Sequence, residues 1–502
     1  MRLLRAVPAH PLLFALFPIL SLYAANLAEA DPGDAVVPAL VSMAAAAVLL
    51  AGGTLVLRSA HRAAAATTAV VFLFFSYGYA RGLLRPTVLG RHRILLSLWA
   101  ILAVAAVVAA GRASGRIPRV TAGLNLVGIA LVSLNLVSGF VYAVQEGSGA
   151  TPTVPVPAAA GPGTERDVYY LVFDRYGGNR ALQTAFGFDN SAFLDGLRAR
   201  GFTVLDRSSG NYPRTLHSLA SSMNMRHLVD LAQQVGEEAS SGRPLREMIR
   251  RHAVGRFFKQ QGYRYVHLGS WWKPTAGNPM ADVNVNRGRL SEFSTTLLRT
   301  TALHPVAKVI SRNLDPRRRE YERTRHQFEA LLDTAGQPGP TFVFGHFLVP
   351  HTPYVFNRDG SFVTAEVHAA RSERERYLEQ LRYVNAQVDG LIDRLLAGPE
   401  TEHPIIILQS DEGPGERPTS WVGVGRRKLE AKFLILNALY LPGLPDPGLS
   451  PTMTPVNTFR TVLSRYFGAE LPLLPDRVYV FRDTDHLYDF TEVTDRLDLG
   501  PP

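Results

Sequence analysis

Long apolar runs crowd the first part of the chain, and short ones punctuate the rest. Five of the long kind occur before residue 146: Leu12–Leu27, Ala35–Leu57, Ala65–Ala80, Ile94–Ala110 and Thr121–Val144. Most approach or exceed the roughly 20 residues a helix needs to cross a hydrocarbon core. The third is shorter and fits a tilted or interfacial helix. A cleaved signal peptide would explain the first at most. The pattern therefore predicts a polytopic membrane domain over 1–145 with about five spans.

After it, "EGSGATPTVPVPAAAGPGTER" is rich in Pro, Gly, Ala and Thr and predicts an extended tether over 146–166. From residue 167 the texture changes to compact apolar runs alternating with helical stripes. "VYYLVF" (168–173), "YRYVHL" (263–268), "FVFGHFLV" (342–349), "IIILQ" (405–409) and "FLILNALYL" (433–441) look like strands covered on both faces. Between them, "NSAFLDGLRARG" and the stripe Tyr377, Leu381, Val384, Val388, Leu391 and Leu395 carry helical spacing. This alternation predicts an α/β domain over 167–485 with a mostly parallel sheet. Residues 486–502 are left as a C-terminal tail.

Arginine placement orients the membrane part. Arg2, Arg5, Arg58, Arg62, Arg112, Arg116 and Arg119 flank one side of five spans, while "AEADPGD" lies on the other. That puts the α/β domain outside the cytoplasm. Arg81, Arg85, Arg91 and Arg93 run against this count. They fit either a different number of spans or an interfacial segment touching lipid phosphates. The net charge of +10 is carried largely by such membrane-flanking arginines, so an anionic lipid or polymer is expected as partner and nucleic acid is not. Cysteine is absent, which excludes disulfides and thiol chemistry.

In open parallel sheets ligands bind at the carboxyl ends of the strands. Asp174 ends the first run, His351 follows the third, and Asp411 and Glu412 follow the fourth. Each alone fits a loop or an acidic turn. Together they form a metal-site pattern, and a carboxylate-rich set favours a hard cation. "GNYPRTLHSLASSMN" supplies a nucleophile candidate: Pro213 marks a helix start and puts Thr215 in the first turn. A hydroxyl there meets free N–H groups and the positive end of the helix dipole, although a capping role would suit it equally. Arg214 beside it, and Trp271 and Trp272 in "GSWWKPT", are candidates to hold substrate. "GRRKLEAKF" (425–433) is expected to be a solvated basic face.

Asp174 after the first strand, the Thr215–Ser218 helix start, "HTPY" at His351 and the late "SDEG" resemble the alkaline-phosphatase/sulfatase-like superfamily. The apolar runs make the layout similar to lipoteichoic acid synthases and lipid A phosphoethanolamine transferases. The resemblance implies Asp174, Thr215 and Asp411 as metal ligands, with Glu412 standing where the family has His or Asn. It implies Thr215 as the nucleophile forming a phospho-Thr intermediate, and His351 as a contact to the substrate phosphate, a proton donor to the leaving group, or a ligand to a second metal. Ser218 joins Arg214, Trp271 and Trp272 as an implied substrate contact. The expected cofactor is a divalent metal, Mn or Mg first and Ca next. The expected reaction moves a phospholipid headgroup to a cell-envelope glycan or polymer. Its alternatives are phosphodiester hydrolysis and an inactive domain organising the envelope. With no cysteine to convert to formylglycine, a conventional sulfatase is not expected.

Overall fold

The computed structural model describes residues 7–27, 30, 32–113, 117–147, 154–159, 163–287, 291–310, 315–444 and 447–497. The chain forms two compact units, Met1–Ser148 with Arg289–Pro316, and Gly149–Gly288 with Arg317–Pro502.

The first unit contains α1 (His10–Ala24), α2 (Pro32–Leu57), α3 (Ala60–Leu84), α4 (His92–Arg112) and α5 (Ile117–Gly147). Four of these, α2 to α5, are long and apolar enough to span a membrane, whereas α1 has only 15 residues. The expected count of five is thus corrected to about four, and the short helix is the first rather than the third. The reason lies in α3. Ser59 caps it, Tyr77 and Arg81 extend it beyond its greasiest part, and Ala63, Ala64, Thr67, Thr68, Val71 and Phe75 face protein. A helix buried among neighbours does not need an unbroken apolar surface, so its hydropathy understates its length.

Residues 291–310 also fall in this unit, although they lie in sequence between two strands of the sheet. The helix Glu292–Thr300 packs on α1, α2 and α3, and Ala302 N donates to Phe74 O at 2.8 Å.

The second unit is a seven-stranded sheet in the order β2-β7-β6-β1-β5-β3-β4. Its strands are β1 (Val168–Phe173), β2 (Thr203–Val204), β3 (Arg264–Leu268), β4 (Val283–Val285), β5 (Thr341–Phe347), β6 (Ile405–Gln409) and β7 (Asn437–Tyr440). Strands β6, β1, β5, β3 and β4 are parallel, while β7 pairs antiparallel with both β6 and the edge strand β2. The expected mostly parallel α/β sheet is therefore present. One apolar cluster covers each face, including Tyr170, Phe344 and Ile407 on one and Tyr169, Val343 and Ile406 on the other. The period-two alternation of buried side chains explains why these strands read as continuous apolar runs.

Outside the sheet, β8 (Tyr479–Asp483) and β9 (His486–Glu492) form an antiparallel hairpin, so residues 486–492 are strand. Of the tether, residues 148–153 and 160–162 lie outside the described residues. Residues 154–159 lack regular structure, and Val154 is buried.

Candidate metal centre and nucleophile

Strands β6, β1 and β5 are the three central neighbours, and each delivers one side chain to the same edge. Val172 on β1 pairs with His346 on β5 and Gln409 on β6. Two residues beyond Val172 and Gln409 come Asp174 and Asp411. One ligand atom each from Asp174, His346 and Asp411 lies within 4.8 Å of the others, and all three residues are buried. Asp174 Oδ1, His346 Nε2 and Asp411 Oδ2 have no hydrogen-bond partner. Buried polar atoms are seldom left without partners, so three orphans converging on one point call for a missing atom between them. Two carboxylates and an imidazole suit a divalent metal, and the site fits one.

The charge balance points the same way. Glu412 Oε1 pairs with Lys432 Nζ at 2.7 Å and with Arg175 Nε at 3.1 Å. Three buried carboxylates thus face two cations in contact with them. Burial and the neighbouring Glu412 push Asp174 up to about 7. Burial, with Asp174 and Glu412 beside it, raises Asp411 well above the usual carboxylate range. Burial also opposes ionisation of Glu412, but Lys432 and Arg175 overcome it and hold that carboxyl down at about 2.

The second layer fixes His346. Its Nδ1 lies 2.8 Å from Thr275 Oγ1, which lies 2.8 Å from Ser270 Oγ. Gln327 donates to the His346 carbonyl at 3.1 Å. Burial lowers the pKa of His346 to about 3, so the ring is neutral, as a ligand must be. Trp272 stacks edge-on against it, with ring centroids 5.8 Å apart.

Thr215 is the first residue of the helix Thr215–Ser222. It stands near Asp411, where its hydroxyl opposes the rise in that carboxyl's pKa. The turn after β1 is held by Arg175, which adopts φ +62°. Its backbone N–H donates to Asp411 Oδ1 at 3.3 Å. Gly413 allows the other close approach. A Cβ there would sit 2.5 Å from Ala431 O, and Gly413 N donates to Lys432 O at 2.6 Å. That approach is what lets Lys432 reach Glu412.

Sequence reading and structure diverge at several of these residues. Glu412 was expected as a metal ligand; instead its Oε1 is engaged by two cations, although its Oε2 has no partner. The histidine in the cluster is His346, inside β5, rather than His351 beyond it. His351 still lies near: its N donates to Asp174 O at 3.2 Å. Burial and Arg175 lower its pKa to about 4, and its Nδ1 is tied to Thr352 O. Ser218 spends its hydroxyl on Tyr212 O at 2.9 Å and is buried. Trp272 stands beside His346, and Trp271 is half-buried with its Nε1 unpartnered. Arg214 is the N-cap of the Thr215 helix. Lys432, placed on a solvated face by the sequence, is fully buried. Arg417, exposed and not singled out, lowers the pKa of both Asp174 and Glu412.

The Sulfatase family model matches residues 170–458, more than half of the chain and the whole of this site. No curated protein matches the sequence. Among solved structures, the C-terminal periplasmic domain of EcEptC from Escherichia coli aligns with 13% identity and a TM-score of 0.42, over 69% of this chain and 98% of that one. A protein in the alkaline phosphatase superfamily from Vibrio parahaemolyticus aligns with 14% identity and a TM-score of 0.39, over 69% of this chain and 80% of that one. The soluble domain of lipooligosaccharide phosphoethanolamine transferase A from Neisseria meningitidis gives 12% identity and a TM-score of 0.39, over 63% and 92%. The match across 170–458 establishes that the chain belongs to the sulfatase family, as an enzyme of the alkaline-phosphatase/sulfatase-like superfamily.

Proposed function

We propose that this protein is a membrane-anchored, metal-dependent phosphotransferase. In this reading Thr215 attacks the phosphodiester of a membrane phospholipid and passes the phospho-headgroup to a cell-envelope glycan or polymer. The observation that carries the reading is the cluster of orphaned metal-ligand atoms on Asp174, His346 and Asp411, with Thr215 near Asp411 at the start of its helix. Four membrane-length helices in the same chain favour a lipid as donor, because an anchor confines the enzyme to the surface that holds it.

Asp174, Asp411 and His346 would hold the metal. When bound, it supplies positive charge that lowers the pKa of the nucleophile and stabilises a phosphoryl group. The imidazole ligand adds Zn to the Mn, Mg and Ca that carboxylates alone would favour.

The remaining steps belong to side chains. The bond from Thr215 Oγ to phosphorus forms as the bond to diacylglycerol oxygen breaks. The Thr215 proton passes to the nearby Asp411 carboxylate, and the departing diacylglycerol oxygen takes one proton from solvent to leave as an alcohol. The acceptor hydroxyl then attacks phosphorus as the bond from Thr215 Oγ to phosphorus breaks, its own proton passing to a base while Thr215 Oγ takes back the proton held by Asp411. His351 suits that second step. It is neutral at pH 7, and with Nδ1 committed to Thr352 O its Nε2 can accept. Arg175, partly exposed beside the cluster, stands to bear phosphate charge.

Diacylglycerol release from labelled phosphatidylglycerol and phosphatidylethanolamine tests this directly. Release should require both metal and Thr215. A Thr215→Ala variant that still turns over would sink the assignment. Supplying acceptor alcohols separates transfer from hydrolysis, since only transfer yields a headgroup-modified acceptor.

A further inference from the structure

A cleft of about 530 Å³ lies apart from the metal centre and shares no lining residue with it. Arg226, Arg460, Arg477, His227 and Tyr479 line it, together with apolar residues that include Val154 of the tether and Leu474. That volume is typical of a small-molecule site and too large for a bare ion.

Its cations are unequally satisfied. Arg226 pairs with Asp230 at 3.2 Å, and Arg477 with Glu492 at 3.7 Å. Arg460 has no carboxylate partner among the described residues. Its Nε donates to Pro472 O at 2.7 Å and its Nη1 to Met225 O at 2.9 Å. Two carbonyls orient a guanidinium without neutralising it. Burial lowers its pKa with no anion to offset the effect. Such a cation is preorganised for an incoming anion, and its planar fork matches phosphate oxygens. His227 adds a hydrogen-bonding group. Its Nε2 meets Pro475 O at 3.0 Å, and its Nδ1 is buried without a partner. With Arg226 and Arg477 each paired to a carboxylate, Arg460 is the uncompensated cation of the cleft among the described residues, and it specifies a ligand that carries negative charge. The apolar lining specifies that the same ligand carries a non-polar portion.

We infer that this cleft binds a phosphate ester with an apolar portion, with Arg460 as its anchoring cation. The two sources of that chemistry are a phospholipid headgroup and a soluble phosphate ester. The site is independent of the reaction assigned to Thr215.

The test uses the full chain in detergent, carrying Thr215→Ala and held in chelator so that the metal centre is silent. Calorimetric titration is run with dihexanoyl phosphatidylglycerol, sn-glycerol 3-phosphate and inorganic phosphate. At least one ester should bind, and Arg460→Gln should weaken it about tenfold or more, the loss expected for a charge-assisted pair. Preference for the dihexanoyl lipid assigns the cleft to a lipid, and equal binding of glycerol phosphate assigns it to a soluble ester. Inorganic phosphate binding as tightly as either would overturn the ester assignment. Absence of binding, or binding indifferent to Arg460→Gln, would overturn the site. Arg477→Gln, at the half-exposed rim, provides a second variant with little risk to folding and should weaken binding by about threefold.

Discussion

Lys432 Nζ lies 2.7 Å from Glu412 Oε1, and both side chains are sealed from solvent. Breaking a buried pair from one side leaves the other charge uncompensated, which typically costs about 3–5 kcal/mol. Lys432→Met should therefore lower the thermal stability of the detergent-solubilised protein sharply, and Glu412→Gln should do so too. The double variant should lose less than the sum of the singles by at least about 1 kcal/mol, because the two effects are one interaction. Additive losses would show that the pair is not coupled.

Metal binding should release protons near neutral pH. With no metal bound, burial and Glu412 raise Asp174 from 3.8 to about 7. The folded metal-free protein thus keeps a proton that the unfolded chain gives up near pH 4. Between those values its stability falls as pH rises, the reverse of an ion-paired carboxylate. A metal competes with that proton, so affinity should climb as pH rises towards 7. Titration calorimetry in buffers of different ionisation enthalpy counts the protons. A flat affinity from pH 5 to 8 would contradict the assignment of Asp174 as a ligand.

Thr275 never touches the cluster's centre, yet it orients His346 through the 2.8 Å contact to Nδ1. Outer partners of this kind are worth about 10–100-fold in metal affinity. Thr275→Val should weaken binding to that extent while leaving the fold intact, and His346→Ala should weaken it further. Equilibrium dialysis against Mn or Zn reads both. Equal affinity in Thr275→Val and the native protein would remove the positioning role.

How much of this was readable beforehand depended on where each residue sat in its element. Asp174 and Asp411 break apolar strands at their ends, so their polarity stands out, and the structure brings both to one edge. Thr215 was visible through Pro213, which marks the helix start. His346 was hidden because it lies within β5, flanked by Phe344, Gly345 and Phe347, where a histidine reads as core. The only sign was a titratable residue in a run otherwise free of them. Lys432 was hidden by composition: "RRKLEAKF" looks solvated, and nothing local reveals that Gly413 brings its backbone close to Glu412. The antiparallel pairing of β7 was equally invisible, since parallel and antiparallel strands buried on both faces share the same apolar pattern.

The last expectation concerns the segment 291–310 in the first unit. Gly78, within α3, lies so close to the backbone of Arg299 and Thr300 that a Cβ there would collide with Arg299 O. Small residues permit such backbone approach between helices in membranes. Ala302 N donating to Phe74 O, and the Tyr77–His92 hydrogen bond at 2.9 Å, continue the same seam. His304 adds a ring contact to His92, with centroids 5.9 Å apart. Gly78→Leu should force the Glu292–Thr300 helix away from α3, since overpacking costs about 1–3 kcal/mol and backbone cannot yield as a side chain does. Limited proteolysis of the membrane-embedded protein should then cut within 291–310 several times faster, while Gly82→Leu, at a position with open space around its Cβ, should leave the rate unchanged. Equal cleavage of both variants would show that the segment is not held by this contact.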